Sequence, residues 1–436
     1  SVSLMNTTTL VASTGEGVFL WDFVNDVLQP GGFLADPHSL VYRQSENKFY
    51  GFYPDRMALE LHRPNTVCQF DGDTGLTNLD GGAFRGTQEM WSWTNPKTQH
   101  FNYVSLSGDS IFLSASGGDC LKKLNMKTNE IEWTLGGHAN MFDFTDITGN
   151  NMGTKMGDTT FLPWSHQHKF QHLDDQYVSL LDNNINPDQD FIEKPWGKSS
   201  RMVVVKIDQE QLTAQTVFSY PMGDRARSYG GTDILPSGNL LGSSYVDWVF
   251  PAMEDYQYHQ NIWEVSPEGE VVWRVAFKGL NPMEPENFQD PYPHHFQAIG
   301  SKNHDTMPSG WNIYNVEKSY PSPVVTRPCI IAWEGSSRLQ FIPFNTIRSQ
   351  EDYPGVAYLV GESSKEQLAS AEFYFHKSWL PRPVQFELPD ALQSQPVSLV
   401  VANHWGDVTV VNIGLVSQLK ACSPKDQYRR FYPKYG

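Results

Sequence analysis

The sequence has few cysteines, no long hydrophobic run and too few basic residues to balance its acidic ones. Its formal net charge is −17 over 436 residues, which argues against a nucleic-acid partner, because proteins meet phosphates with Lys and Arg. No segment approaches the roughly eighteen consecutive apolar residues of a membrane-spanning helix. We therefore expect no nucleic-acid partner and no membrane span, and we interpret the acidic charge as a solubility feature.

The cysteines indicate a secreted protein more than a metal-binding one. The four cysteines are Cys68, Cys120, Cys329 and Cys422. They are widely spaced and form no Cys-x-x-Cys pair, so a zinc site is not expected. One or two disulfides are compatible with this spacing, and the pairing stays open. The chain begins with Ser1, as a secreted protein does after signal removal. It carries an N-glycosylation triplet at Asn6. We expect a secretory route and a glycan on Asn6.

The composition favours many short strands. Aromatic residues make up 13% of the chain, and 34 Gly and 28 Pro supply turns. The single helical candidate is residues 365–371. Residues 281–310 are dense in Pro, Asn and His and are typical of a lid or an active-site loop. No linker divides the chain, so we predict one domain over residues 1–436.

A loosely repeated unit predicts the architecture. A turn followed by alternating apolar residues occurs at 129–133, 269–273 and 406–410, and the first two copies end in Trp. Trp133 and Trp273 are 140 residues apart, close to three units of roughly 45 residues, the length of a β-propeller blade. We predict an all-β fold, a single propeller of five or six blades, with its active site at the mouth of the central channel.

The motifs of the chain centre on residues 129–184. This stretch begins and ends with β-like runs, and between them lie His138, His166 and His168. If His166 and His168 were on one strand, they would share a face. A pair of imidazoles directed at one space is typical of acid–base chemistry.

The order of several short motifs resembles the arylsulfotransferase (ASST) β-propellers, particularly their fungal relatives. The likeness covers roughly residues 90–400. It is carried by His100-Phe101-Asn102, the Trp-x-Leu-Gly-Gly element at Trp133 to Gly137, Gln167-His168, Asp182-Asn183, the Leu-Pro-x-Gly-Asn strand at Leu235 to Asn239, and Ala332-Trp333-Glu334-Gly335-Ser336. The resemblance implies sulfuryl transfer between phenols through a histidine that carries the group transiently.

The sequence departs from this family at two positions where a sulfate site needs arginine. Residues 114–117 read Ser-Ala-Ser-Gly, and residues 292–296 read Tyr-Pro-His-His-Phe. Loss of two guanidiniums removes bidentate contacts to an anion. Arg225 and Arg227 are the candidates to replace them. Within the family, the chain resembles the fungal hetero-Diels–Alderases that join a tropolone-derived quinone methide to a humulene-type sesquiterpene alcohol.

That resemblance implies a cofactor-independent pericyclase with small aromatic and terpenoid substrates. Two alternatives stay open: an aryl sulfotransferase, and a propeller that binds a ligand without catalysis. The candidate catalytic residues are His168, His100, His166, His294 and His295. The candidate substrate-binding residues are Asn102, Arg225, Arg227, Tyr229, Trp164, Trp333 and Trp405. No metal or other cofactor is expected.

Each candidate also has a purely structural interpretation. Tryptophans at such positions usually pack between blades, and Asp224 and Asp233 more often cap turns than orient an imidazole. His138 is expected at a strand end and His172 in solvent. His404, beside Trp405, is expected to resemble the packing tryptophans.

Overall fold

Almost all of the regular structure is β-strand, as the sequence predicts. The structure is a computed structural model. It describes residues 1–14, 17–52, 100–153, 163–186, 188, 190–246, 258, 260–277, 313–333, 336–388, 392 and 395–423, together with the backbone of 66–71 and 89–94. Short 3-10 turns lie at Gln44–Glu46, Ser116–Gly118 and Val416–Gln418. No helix in these ranges is long and apolar enough to cross a bilayer.

Five antiparallel meanders follow one another within the described residues up to 277. The first comprises β1 (Val2–Leu4), β2 (Thr9–Ser13), β3 (Val18–Asp22) and β4 (Val27–Pro30). The second comprises β5 (Leu40–Arg43), β6 (Lys48–Phe52), β7 (Thr66–Asp71) and β8 (Glu89–Thr94). The third comprises β9 (Phe101–Ser107), β10 (Ser110–Ala115), β11 (Cys120–Asn125) and β12 (Glu130–Gly136).

The fourth meander is enlarged by two short strands. These are β13 (Asp143–Thr145) and β14 (Asn151–Gly153), and β13 pairs in parallel with the outermost strand of the meander. The meander itself comprises β15 (His168–Asp174), β16 (Tyr177–Asp182), β17 (Arg201–Asp208) and β18 (Thr213–Pro221). The fifth comprises β19 (Ser228–Ile234), β20 (Leu240–Tyr245), β21 (Gln260–Val265) and β22 (Val271–Phe277).

Burial falls from the first strand of a meander to the last. Strands β9, β15 and β19 are almost wholly buried, whereas β4 and β22 are largely exposed. The first strands contact one another, β5 with β9, β9 with β15, and β15 with β19. Sheets that radiate from adjacent first strands form a β-propeller. The fold class predicted from sequence is confirmed.

The C-terminal strands pair in a different order. One sheet is β24 (Cys329–Trp333), β25 (Ser336–Phe341) and β29 (Val384–Glu387). The other has the order β28 (Gln367–Phe375), β27 (Tyr353–Gly361), β30 (Pro396–Asn403), β31 (Val408–Leu415). A small pair, β23 (Val324–Val325) and β26 (Pro343–Phe344), precedes them. The two larger sheets face each other across a shared apolar core that includes Phe341, Leu359 and Phe386, as in a β-sandwich.

Two sequence predictions about local structure are wrong. Residues 365–371 are not helical, because Lys365 has φ +58° in a turn and the chain from Gln367 onward pairs with β27. Trp133 and Trp273 both lie on fourth strands, but of meanders two apart rather than three. The insertion that contains β13 and β14 accounts for part of the extra length between them.

The turns of the repeated unit are explained by backbone conformation. Asn129, Gly269 and Gly406 all have positive φ, at 58°, 86° and 89°, a region that Gly and Asn adopt readily. Each precedes its outer strand by one or two residues. The repeated unit therefore marks the turn into an outermost strand.

One disulfide ties the end of the described chain to the C-terminal sheets. Cys329 on β24 is bonded to Cys422, 93 residues later. Cys120 is a buried free thiol, and burial raises its pKa to about 12. The side chain of Cys68 lies outside the described residues.

Candidate active site

Four imidazoles gather where the innermost strands begin. His38 lies two residues before β5, His100 immediately before β9, and His166 and His168 at the start of β15. The rings of His38 and His100 are 4.5 Å apart, and those of His166 and His168 are 5.7 Å apart. We call these four residues the imidazole cluster and this end of the channel the imidazole mouth.

The innermost strands run in the same direction, which is why residues distant in sequence meet here. Near the imidazole mouth, Nδ2 of Asn102 on β9 donates to the carbonyl oxygen of Gln167 at 2.7 Å. Further along the same two strands, Oγ of Ser105 accepts from the backbone N–H of His172 at 2.9 Å. The residue preceding each innermost strand therefore reaches the same mouth. Its place just before an innermost strand could have identified His38, which was not predicted from the sequence.

Two tyrosines join the two halves of the imidazole cluster. The ring of Tyr314 lies 6.0 Å from both His38 and His168, and the ring of Tyr229 lies 6.0 Å from His168 and 5.1 Å from Tyr314. The hydroxyl of Tyr314 donates to the carbonyl oxygen of Asn102 at 2.8 Å. Burial raises the pKa of Tyr314 well above its ordinary value, so it remains a neutral donor.

The hydrogen bonds of Asn183 fix the tautomer of His168. Nδ2 of Asn183 donates to the carbonyl oxygens of Ala226, at 2.7 Å, and Tyr229, at 3.2 Å. Its Oδ1 must therefore be the atom that lies 2.8 Å from Nδ1 of His168. Because an amide oxygen only accepts, Nδ1 of His168 carries the proton. Nε2 of His168 is left with a free lone pair.

The imidazole of His168 is held neutral. Its side chain is buried, and burial lowers its pKa well below the ordinary value, with smaller contributions from the like-charged forms of His166, His100 and His38. Burial also lowers the pKa of His166 to about 4. At neutral pH both rings can therefore accept a proton.

His166 reaches the cluster from a turn and not from a strand. Its φ is +52°, and its backbone N–H donates to the carboxylate of Asp119 at 2.5 Å. Oδ1 of Asp182 accepts from the backbone N–H groups of Ser165 and Asn184, both at 3.0 Å. The prediction that His166 and His168 share one strand face is wrong, although their rings do lie close together.

The Gln167-His168 pair is anchored on both sides. Nε2 of Gln167 donates to the carbonyl oxygens of Ala115, at 3.1 Å, and Cys120, at 3.2 Å. The side chain of Asn102 is fully buried, and among the described residues its Oδ1 has no hydrogen-bond partner. This buried acceptor lies beside the imidazole mouth.

The glycines of the Trp133-to-Gly137 element allow neighbouring segments of the site to pack closely against it. A Cβ on Gly136 would lie 2.6 Å from Trp164, and one on Gly137 would lie 2.0 Å from the carbonyl oxygen of Gly118. Both glycines also have positive φ. The two glycines thus permit the close approach of the segment that carries Asp119 and, through it, His166.

His38 is paired with a buried carboxylate. Oδ1 of Asp36 lies 2.5 Å from Nδ1 of His38 and accepts from the His38 backbone N–H at 2.9 Å. A carboxylate in this position orients an imidazole, as in hydrolytic triads. Neither residue was identified from the sequence.

The two arginines predicted to bind substrate have different surroundings. Arg225 is exposed, and the guanidinium of Arg227 lies 5.8 Å from the ring of Phe191. Arg201, a buried neighbour of this region, is bound to Asp182 at 2.9 Å. The strongest electrostatic influences on His168 come from other imidazoles and an amide. This is a poor environment for a sulfate dianion or a sulfuryl group.

Two of the predicted tryptophans have packing roles in the structure. Trp164 is fully buried in the core against Phe170, with ring centroids 4.9 Å apart, and its indole N–H donates to Asp119. Trp405 packs on Tyr353, 5.0 Å away, and on His404. The side chain of Trp333 lies outside the described residues, as do His294, His295 and the whole of 281–310.

Asn6 occupies the turn between β1 and β2. Its Oδ1 accepts from the backbone N–H groups of Thr8 and Thr9, each at 2.8 Å. Its side chain is half-buried. Glycosylation at this residue stays a prediction.

The interior of the channel is filled by an ionic network. Nζ of Lys169 lies 2.8 Å from Asp233, and Arg348 binds the other oxygen of the same carboxylate. Gln171 donates to Asp233 at 2.6 Å. A Cβ on Gly231 would lie 2.5 Å from the Lys169 side chain, so this glycine makes room for the lysine. The expectation that Asp233 caps a turn is wrong, because it lies on β19 inside this network.

Asp224 and His172 also differ from their predicted roles. Asp224 is buried, and its carboxylate accepts from Ser244 at 2.5 Å and from Asn261 at 2.9 Å, a position between strands. His172 was expected in solvent but is 2% exposed. Its ring stacks on Phe112 with the centroids 4.0 Å apart. Among the described residues no three His, Cys, Asp or Glu side chains are arranged to hold a metal ion.

Comparison with protein families decides the relationship that the motifs indicate. Residues 9–232 match the model for Arylsulfotransferase (ASST), slightly more than half of the chain. The chain belongs to the ASST family. The matched region contains all four members of the imidazole cluster, and membership indicates an enzyme. A comparison with curated proteins gave no match.

Several solved structures resemble the ASST protein at low similarity. The nidogen/laminin complex is 9% identical, with 84% of this chain and 92% of that chain covered and a TM-score of 0.35. A putative 6-phosphogluconolactonase from Bacteroides uniformis is 10% identical, with 94% and 95% covered and a TM-score of 0.34. At these TM-scores the likeness carries no argument about function.

Proposed function

We propose that this ASST-family protein is a cofactor-independent hetero-Diels–Alderase. Its substrates are a tropolone bearing a hydroxymethyl group, which loses water to give a quinone methide, and a humulene-type sesquiterpene alcohol. The observation that carries the proposal is the neutral imidazole of His168, whose Nδ1 proton is held by Asn183. It lies among other imidazoles and tyrosines.

The dehydration step needs a base that is neutral at the start and an acid that protonates the leaving hydroxyl. Nε2 of His168 accepts the proton of the tropolone hydroxyl, and the oxygen's electrons pass through the ring to expel the hydroxyl of the hydroxymethyl group. The imidazolium of His168 gives the same proton to the departing hydroxyl, directly or through a second imidazole of the cluster, so that water leaves and the rings are neutral again. General acid–base assistance of this kind contributes roughly 10²–10⁴-fold.

The cycloaddition step depends on positioning. The new C–C and C–O bonds form within one pericyclic step, and the protein supplies no electrons or protons to it. Tyr229 and Tyr314 offer aromatic faces to a planar tropolone. Holding the diene and the alkene together contributes up to about 7–11 kcal/mol in favourable cases. Donors that face the tropolone oxygens, where charge builds, supply about 3 kcal/mol more.

Aryl sulfotransfer is the second candidate, and family membership favours it. The unprotonated Nε2 of His168 has the lone pair that a sulfuryl acceptor needs. Against it stand the positions of Arg225 and Arg227, because three sulfate oxygens require cationic or strong donor contacts. A ligand-binding protein without catalysis is the third candidate.

One pair of assays separates the candidates. The purified protein is incubated with a hydroxymethyl tropolone and a humulene-type alcohol, and separately with p-nitrophenyl sulfate and a phenol. We expect the protein to accelerate formation of the cycloadduct and to release no nitrophenol above the blank. Robust nitrophenol release with a sulfated histidine would assign the site to sulfuryl transfer.

We further propose that the protein is made in the secretory pathway. The Cys329–Cys422 disulfide supports this, because structural disulfides persist in oxidising compartments. Asn6 would then be accessible to the glycosylation machinery. Loss of mass from the purified native protein on treatment with an N-glycosidase tests the glycan, and an unchanged mass would argue against it.

A further inference from the structure

A second cavity opens where the innermost strands end. It has a volume of about 440 Å³, within the range of small-molecule sites. Its wall contains Arg43 at the end of β5, Ser107 at the end of β9 and Asp174 at the end of β15. His168 and His172 are four residues apart on β15, so the two sites are separated by roughly 13 Å along the strand. The proposed cycloaddition uses none of this cavity.

One basic group in this cavity lacks a carboxylate partner. Arg43 is paired with Glu46 at 2.8 Å, and Arg382 with Asp352 at 2.8 Å. Lys377 is 7% exposed, and among the described residues no carboxylate lies within ion-pair distance of its Nζ. A buried ammonium without a counter-charge is unfavourable, so this amine is disposed to be neutral.

The neighbours of Lys377 complete a short polar chain. Its Nζ donates to the carbonyl oxygen of Leu106 and lies 3.2 Å from Nδ1 of His172. Nδ1 of His172 is the ring atom that faces the lysine, and Nε2 lies 3.7 Å from the carboxylate of Asp175, beyond hydrogen-bond distance. Burial lowers the pKa of His172 to about 3, so this ring is neutral at pH 7 and can relay a proton without keeping it.

The charges around the amine are mixed. Burial lowers the pKa of Lys377 to about 7, with Arg348 and Arg43 lowering it further and Asp352 and Asp174 opposing them. His376, on the same segment, has a pKa lowered to about 4 by burial and is likewise neutral at pH 7. A neutral primary amine in a small polar cavity is the requirement for attack on a carbonyl.

We propose that this cavity is a second binding site, which takes a small polar aldehyde or ketone and holds it as an imine on Lys377. The amine nitrogen attacks the carbonyl carbon, and one of its two protons passes through His172 to the carbonyl oxygen, which gives a neutral carbinolamine. The hydroxyl then leaves as water with the second nitrogen proton, which is relayed through the same ring, and a neutral imine remains. No oxidant or reductant is consumed. The hydroxyl and carboxylate groups of the wall suit a hydroxy-aldehyde.

Reductive trapping tests the site on the intact protein. Glycolaldehyde and cyanoborohydride are added at pH 7, and adducts are located by mass spectrometry of peptides. We expect Lys377 to be labelled at least about tenfold faster than the exposed Lys365, because an amine with a pKa near 7 is half unprotonated at pH 7, whereas only a very small fraction of an ordinary lysine, with a pKa near 10.4, is unprotonated. The advantage of Lys377 should disappear at pH 10. Equal or slower labelling of Lys377 at pH 7 would overturn the proposal.

A matched variant locates the fast reaction. Lys377→Arg keeps a donor for the Leu106 carbonyl but has no nucleophilic amine, so its folding is checked by the melting temperature and its labelling by whole-protein mass. We expect the fast phase to vanish and the slow labelling of exposed lysines to remain. A fast phase that persists in folded Lys377→Arg would place the reactive amine elsewhere. Neither outcome depends on the cycloaddition assay, because Lys377 takes no part in it.

Discussion

Oδ1 of Asn183 lies 2.8 Å from Nδ1 of His168, and the donors of the same amide are bound to two backbone carbonyls. This relationship determines which nitrogen of the imidazole is basic. Asn183→Asp should therefore disturb the chemistry, since a carboxylate beside Nδ1 favours the charged ring and raises its pKa. Because the substitution also removes the two N–H donors to the backbone carbonyls, folding of the variant is checked by its melting temperature. We expect the rate at pH 7 to fall about tenfold or more, with the pH profile of kcat shifted to higher pH. A lower rate with an unshifted profile would contradict the assigned tautomer.

Replacement of the proposed base should reduce turnover and spare binding. For His168→Gln we expect kcat to fall roughly 10²–10⁴-fold while KM changes little. His138→Gln is the matched control, because His138 is exposed; its turnover should equal that of the unmodified protein. If His168→Gln kept full turnover and lost only affinity, the protein would be a binder and not a catalyst.

The buried neutral ring of His166 predicts a pH dependence of stability. Its pKa is lowered from about 6.5 in the unfolded chain to about 4, so the unfolded state binds the proton more tightly. Its contribution is fully present above pH 6.5 and is lost as the pH falls toward 4, about 3 kcal/mol in all. Asp119 and Asp224, whose pKa values burial raises to about 6, produce the opposite slope over part of this range.

The contribution of His166 is therefore isolated by comparison with His166→Gln. Chemical denaturation of both proteins at pH 7 and at pH 4 gives their difference in the free energy of unfolding. Relative to His166→Gln, the unmodified protein should lose about 3 kcal/mol of its free energy of unfolding between pH 7 and pH 4. A difference independent of pH would mean that the ring is protonated in the folded protein.

The disulfide should stabilise the C-terminal sheets. It spans 93 residues, and the entropy of closing so long a loop corresponds to at most about 4–5 kcal/mol. We expect the double variant Cys329→Ser/Cys422→Ser to have a lower melting temperature than the unmodified protein. A reducing agent should not lower the melting temperature of this variant further. Cys120→Ser is the control, because that thiol is free. If reductant destabilised the double variant as much as the unmodified protein, another disulfide would be responsible.

The sequence predicted the elements with strong local patterns. The alternation of apolar and polar residues around Trp133 and the β-forming residues from Tyr177 onward predicted two strands. The structure has them at Glu130–Gly136 and Tyr177–Asp182. The prediction of a helix at residues 365–371 is wrong because strand pairing with β27 outweighs the weak helical preference of a short segment. The positive φ of His166 could not be read from its residue type, since only a small fraction of residues other than Gly adopt it.

The site was only partly predictable, for a geometric reason. His100, Asn102, His166, His168 and Tyr229 meet because they stand at or near the starts of adjacent innermost strands, and the motifs led to them. His38 and Tyr314 belong to no motif that was recognised, and only the register of the sheets brings them to the same mouth. Trp164 and Trp405 were chosen by residue type, and in the structure they pack against Phe170 and Tyr353.

The most direct test of the central claim is a crystal structure of the protein with a hydroxymethyl tropolone bound. We expect the tropolone to lie in the imidazole mouth, with one of its oxygens about 3 Å from Nε2 of His168 and the face of its ring against Tyr229 or Tyr314. A tropolone bound away from His168, or bound there with the oxygen facing a protonated Nε2, would contradict it.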